Sequence, residues 1–163
     1  MNYSSSKHSF KTRVFPIGPA VLFREDDPGR IYLLTDYEVP LPDNSVALTA
    51  RRGFRFDGAS IPRFFWRLFG HPYQMPLLPC ALAHDALYAT QLLPRADCDN
   101  AFLYLMRHSE IGLLKRYAVW LGVRLFGWLV WQRRSEKRIH SARIFCRLSS
   151  LAPAPDTSLS LDK

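Results

Sequence analysis

Residues 79–106 read PCALAHDALYATQLLPRADCDNAFLYLM. Two runs of helix-forming composition flank Pro94, so the segment predicts helices over 81–92 and 95–108 that turn back on each other as an antiparallel pair. His84 and Asp85 then lie on the first helix, and Asp97 and Asp99 on the second, where an imidazole and a carboxylate can meet across the pair. Asp97 and Asp99 differ by about 200° around a helix, so only one can face His84. Asp99, with Phe102 one turn further on, is the preferred partner.

Upstream of this pair the pattern changes. Segments 14–23, 31–39 and 46–56 carry short β-branched and aromatic runs, broken by Pro28-Gly29 and by Pro42-Asp43-Asn44, and predict three strands. Between them and the helices, Asp57-Gly58-Ala59-Ser60-Ile61-Pro62 offers a permissive glycine, an N-capping serine and a proline suited to helix entry. Pro72, Pro76 and Pro79 are expected to delay any continuous helix until Cys80. Downstream, 113–134 predicts one long helix. The fold class is therefore α+β: a small N-terminal antiparallel sheet, then a helical half with an antiparallel helix pair and a long amphipathic C-terminal helix. A chain of 163 residues, 48% apolar, suffices for one core rather than two. Residues 13–148 are read as a single domain between a flexible 1–12 and a disordered, Pro- and Ser-rich 149–163.

A net charge of +8 and a pI near 9.8 favour an anionic partner. The excess is concentrated late, where Arg133, Arg134, Lys137, Arg138, Arg143 and Arg147 stand against Glu136 alone. Three cysteines, Cys80, Cys98 and Cys146, are too few and odd in number for the disulfide framework of a small secreted domain. The polar start MNYSSSKHSFKTR lacks the apolar run of a cleaved signal, so synthesis into the cytoplasm is the expectation. Residues 111–131 are about long enough to cross a bilayer, but Lys115, Arg116 and Arg124 interrupt them and argue against a spanning helix. On a wheel advancing about 100° per residue, Lys115, Arg116, Arg124, Arg133 and Arg134 share half the circumference, with Trp120, Trp128 and Trp131 in or beside that sector. Indole beside cation suits an anionic membrane surface or a protein partner.

Phe54-Arg55-Phe56-Asp57-Gly58-Ala59-Ser60-Ile61-Pro62, Phe65-Trp66, Ala83-His84-Asp85-Ala86-Leu87-Tyr88, Arg95 with Cys98-Asp99 and Phe102, Arg116-Tyr117, and Val123-Arg124-Leu125-Phe126-Gly127 with Trp131 resemble the family catalogued as domain of unknown function 1353. The resemblance covers about residues 14–132. It implies a phage or prophage context, and with it phage structural proteins as partners, without implying an activity.

A shorter resemblance is mechanistic. His-Asp-x-x-Tyr on one helix and Asp-x-x-Phe on the next are similar to the catalytic helices of phospholipase A2. That resemblance implies His84 as general base, Asp99 as the carboxylate that fixes it, Asp85 as a calcium ligand, and Tyr88 in support. Asp57 and Gly58, with Ser60 beside them, stand where the calcium loop is expected, although the family's glycine-rich loop is reduced here to one glycine. Calcium would polarise an ester carbonyl and stabilise the developing oxyanion.

The same residues admit a structural reading, in which His84 and Asp85 bond to local backbone or to an arginine such as Arg95. The alternative function is then a non-enzymatic virion, tail-assembly or membrane-associated protein that binds through its basic, Trp-bearing helix. Nucleic-acid binding through 133–147 is the weaker option. The aromatic cluster at 64–69 reads as core and not as a stacking platform.

Overall fold

The computed structural model describes residues 18–23, 25–27, 30–42, 46–56 and 76–150. Five short strands come first: β1 Val21–Phe23, β2 Ile31–Leu33, β3 Tyr37–Pro40, β4 Val46–Ala50 and β5 Arg55–Phe56. Four helices follow, α1 Leu77–Thr90, α2 Arg95–His108, α3 Leu113–Gln132 and α4 Glu136–Phe145, and the described chain closes with strand β6, Cys146–Ser150. The class is α+β.

The strands form two three-stranded antiparallel sheets, ordered β1-β2-β5 and β3-β4-β6. The region predicted as one strand over 46–56 is cut into β4 and β5 by a turn at 51–54. There Gly53 adopts φ +85° and donates its N–H to Leu33 O at 2.8 Å. That left-handed backbone is open to glycine and strained for a residue with a Cβ. The cut lets β5 leave the β4 sheet and pair with β2, Ile31 opposite Phe56.

α4 and β6 extend the architecture beyond the long helix that the sequence led us to expect as its last element. β6 returns to pair with β4 along its whole length, Ala50 opposite Cys146 and Val46 opposite Ser150. A sheet read as N-terminal is therefore completed by a C-terminal strand. The pairing runs through Ser149 and Ser150, which the sequence reading had placed in the tail.

α1 begins at Leu77, earlier than Pro79 suggested. A proline in the first turn costs little, because the N–H it lacks would have no helical partner there. All fourteen α1 residues are buried. A helix apolar on every side has no face to give to solvent and becomes the centre of the core. α1 packs against α2, α4, β4 and β5, while α3 lies on α2. Near the start of α1 Cys80 Sγ lies 3.3 Å from Ser109 Oγ, just past the end of α2, whereas Tyr88 near its end meets Asp99 near the start of α2. The pair is antiparallel.

α3 is amphipathic in the sense opposite to the one expected. Its outward stripe is apolar: Leu114, Tyr117, Leu121, Leu125 and Trp128 recur every three or four residues and are all exposed, Leu114 at 83%. Trp120 and Trp131, from the basic sector, pack against the core. No described helix is long and apolar enough to cross a membrane. All three cysteines are buried free thiols.

Candidate functional site: a carboxylate held by four donors

Inside the helical half, four polar or charged residues are buried: His84, Asp85 and Thr90 on α1, and Asp99 on α2. Thr90 is satisfied locally through its hydroxyl to Ala86 O at 2.7 Å. His84 and Asp99 are joined to each other. Asp99, with no exposed surface, accepts from His84 Nε2 at 3.1 Å and from Tyr88 Oη at 2.5 Å on Oδ1, and from Arg95 Nη1 at 3.2 Å and Arg124 Nη1 at 3.0 Å on Oδ2. Two donors on each oxygen use the full accepting capacity of a carboxylate.

Each donor arrives for a local reason. His84 and Tyr88 are i and i+4 on α1 and share a face, their rings 4.2 Å apart at the centroids. Arg95 is i−4 to Asp99 on α2. Arg124 comes from α3, which also gives its own carbonyl to Arg95 Nη1 at 3.2 Å. Gly127, one turn beyond Arg124, makes room. A Cβ built there would stand 2.5 Å from Tyr88 Oη, so glycine lets the phenol pass α3 and reach Asp99. Phe102 stacks on the His84 ring at 4.6 Å, and Trp131 meets Tyr88 edge-on at 5.1 Å.

The electrostatics follow from this enclosure. Burial pushes Asp99 up, but hydrogen bonds from His84, Tyr88 and Arg124 outweigh it and hold the carboxyl below its ordinary range. Burial pushes His84 down more strongly than Asp99 pulls it up, so the imidazole is neutral at pH 7. Burial and the neighbouring carboxylate both drive the Tyr88 phenol upward, and it stays protonated. An ionised carboxylate only accepts, which places the single imidazole proton of His84 on Nε2. The Nδ1 lone pair is then the basic one. It is buried and has no hydrogen-bond partner among the described residues.

The other sequence candidates fall in several places. Asp97 is exposed at the first turn of α2, away from His84. Asp85, 5% exposed, follows His84 on α1. Asp57, Gly58 and Ser60 lie outside the described residues. Among the described residues no three His, Cys, Asp or Glu side chains gather to hold a metal ion. Arg124, read with the outward basic residues, turns inward to Asp99 instead. Lys115, Arg116 and Arg134 are half-buried, Arg133 exposed, and Trp128 exposed on the apolar stripe. Sequence reasoning missed Gly127 as the clearance for Tyr88. Its one signal was a glycine inside an otherwise strong apolar helix, where glycine costs stability unless packing requires it.

A family model described as protein of unknown function (DUF1353) matches residues 31–123, more than half of the chain. An uncharacterized protein, y4jT, of Sinorhizobium fredii (strain NBRC 101917 / NGR234) is 32% identical over 114 residues, which is 69% of this chain and 34% of that protein. The chain thus spans about a third of the length of the curated relative it matches. No solved structure matches.

Proposed function

The chain belongs to the DUF1353 family, whose description names no activity, and we propose that it is a phospholipase A2-like ester hydrolase in which His84 and Asp99 form a general-base dyad. One observation carries the reading: Asp99 fixes the His84 proton on Nε2 while the opposite nitrogen, neutral and buried, has no described partner. In this reading Nδ1 takes a proton from the attacking water and Asp99 steadies the imidazolium that results. The cage of Tyr88, Arg95 and Arg124 keeps Asp99 ionised for that purpose.

Calcium is part of the proposal, with Asp85, Asp57 and Gly58 as the residues that would hold it. When bound, it would supply charge to polarise the ester carbonyl. Asp85 brings the hard oxygen donor such an ion takes. Fatty-acid release from mixed phospholipid micelles, with calcium or with a chelator, tests the activity. His84→Gln should lower turnover by about two orders of magnitude or more, the usual share of a general base. Unchanged turnover in that variant would remove the dyad from the chemistry.

The outward apolar stripe of α3 favours a second reading: a non-enzymatic virion, tail-assembly or membrane-associated protein whose contact helix is α3. Leu113, Leu114, Leu121 and Leu125 are each at least half exposed, and apolar side chains gathered on one exposed face favour an interaction surface. Flotation with anionic vesicles and light scattering of the free protein test it together. Leu121→Asp with Leu125→Asp should abolish vesicle binding or self-association, and a monomer that never floats would exclude the reading.

A further inference from the structure

A second feature lies away from the Asp99 cage. Where the β1-β2-β5 sheet meets the α3–α4 corner there is a cleft of about 870 Å³, the size of an ordinary small-ligand site. The sheet side contributes Arg30 and Arg55 to its lining, and the α3–α4 corner contributes Arg133, Arg134, Lys137 and Arg138. No carboxylate lines it among the described residues. Asp27 stands 3.6 Å from Arg55, and among the described residues the other cations of the lining have no ion-pair partner. Like charges held together cost free energy unless a counter-charge occupies the gap.

Two further observations point the same way. Ser135, Lys137 and Arg138, from the N-cap and first turn of α4, line the cleft, and the Ser135 side chain makes no capping bond. The positive end of that ten-residue helix therefore opens on the same space as the cations. Arg134 lines the cleft, and its buried Nε has no hydrogen-bond partner among the described residues, so no protein acceptor already offsets the charge at that atom.

We infer that this cleft binds a compact polyphosphate, either free or as the tail of a nucleotide. Cations from the sheet side and from the α3–α4 corner suit several adjacent phosphoryl groups. A nucleic-acid backbone asks instead for a continuous basic stripe along an open surface. The site is separate from the His84–Asp99 cage and does not rest on the hydrolase reading. It comes from segments around residues 30, 55 and 133–138 that only the tertiary fold brings together.

Titration calorimetry of the full chain with sodium tripolyphosphate, and separately with ATP and with adenosine, tests the inference. Tripolyphosphate and ATP should bind, adenosine should not, and raising the salt should weaken both. Tighter binding of ATP identifies a nucleotide, and equal binding identifies the phosphate chain alone. Arg30→Gln with Arg138→Gln, both exposed positions, should weaken binding on the order of tenfold or more while leaving the urea midpoint in place. Arg107→Gln, which removes one charge from an exposed part of α2 outside the cleft, should leave affinity unchanged. The inference fails if neither phosphate compound binds at millimolar concentration in low salt, or if Arg107→Gln weakens binding as much as the cleft variants. It also fails if a single-stranded oligonucleotide binds and tripolyphosphate does not displace it.

Discussion

Replacing Asp99 with Asn tests the cage with almost no change in volume. The amide keeps one accepting oxygen but turns the other into an NH₂ group. With the NH₂ toward Arg95 and Arg124, donors meet donors; turned inward, it faces His84 Nε2 and Tyr88 Oη, which can accept only if the imidazole moves its proton to Nδ1 and the phenol turns its own away. The arginine side chains are 26% and 32% exposed and recover part of their hydration, so their share is discounted to about 1 kcal/mol each. The inner side has no such recourse, since the His84 side chain is 4% exposed and Asp99 0%. Leaving a buried donor there without its acceptor costs about 1–3 kcal/mol. The amide group faces one side or the other, so the expected loss is about 2 kcal/mol with the NH₂ toward the arginines, or about 1–3 kcal/mol with it turned inward. Urea unfolding followed by circular dichroism at pH 7 measures it. The acid limb supplies a second readout. Asp99 has a depressed pKa in the folded chain, so its contribution is present above the unfolded carboxyl value of about 3.9 and is lost as pH falls through the folded one. The gap between wild type and Asp99→Asn should close as pH drops below about 4. A loss under about 1 kcal/mol at pH 7, with unchanged denaturant slope, would refute the cage as an energetic unit.

Other expectations follow from the same geometry. Gly127→Ala sets a Cβ against Tyr88 Oη and should destabilise by about 1–3 kcal/mol. In a Tyr88→Phe background the same change should cost clearly less, and strict additivity in the double-mutant cycle would show that the contact is not what Gly127 serves. His84 has a lowered folded pKa, so it contributes stability above its unfolded value of about 6.5 that is lost as pH falls toward the lowered one. His84→Gln should flatten that part of the stability curve, and identical wild-type and variant slopes between pH 7 and 5 would contradict the assignment. If the dyad turns over an ester, the rate should already be on its plateau at pH 7, and a rise continuing above pH 7 would exclude a depressed imidazole as the base. Cys80, Cys98 and Cys146 are each pushed up to about 12 by burial. They should resist a thiol reagent at pH 8 in the native chain and all react in denaturant, and fast native labelling would show that the core around them opens.

Much of the helical half is legible in the sequence. Pro94 separates two helical runs, and the spacing lets His84 and Asp99 meet if the runs fold back antiparallel; Asp97, about 200° away, then has to point elsewhere. Pairing across a tight turn is local, so the sequence carries it. Arg124 was not legible in the same way. On a wheel it belongs with Lys115 and Arg116, and nothing in its own neighbourhood says that α3 turns its basic side toward α2 while Leu114, Leu121 and Leu125 face out. A helix packs whichever side its neighbours satisfy, and here a buried carboxylate on another element satisfied a cation.

By itself the sequence determined the class and the helix pair, and made His84 and Asp99 candidates to meet across it, because short-range periodicity and turn chemistry govern all three. Only the tertiary structure decided that β6 returns from the far end of the described chain to complete the β3-β4 sheet, that Arg124 and Gly127 belong to the Asp99 cage, and that Arg30 and Arg55 line one cleft with Arg133, Arg134, Lys137 and Arg138. Each of these joins residues far apart along the chain. What settles such contacts is which buried charges and unpaired strand edges find a partner, a property of the folded whole that no local window contains.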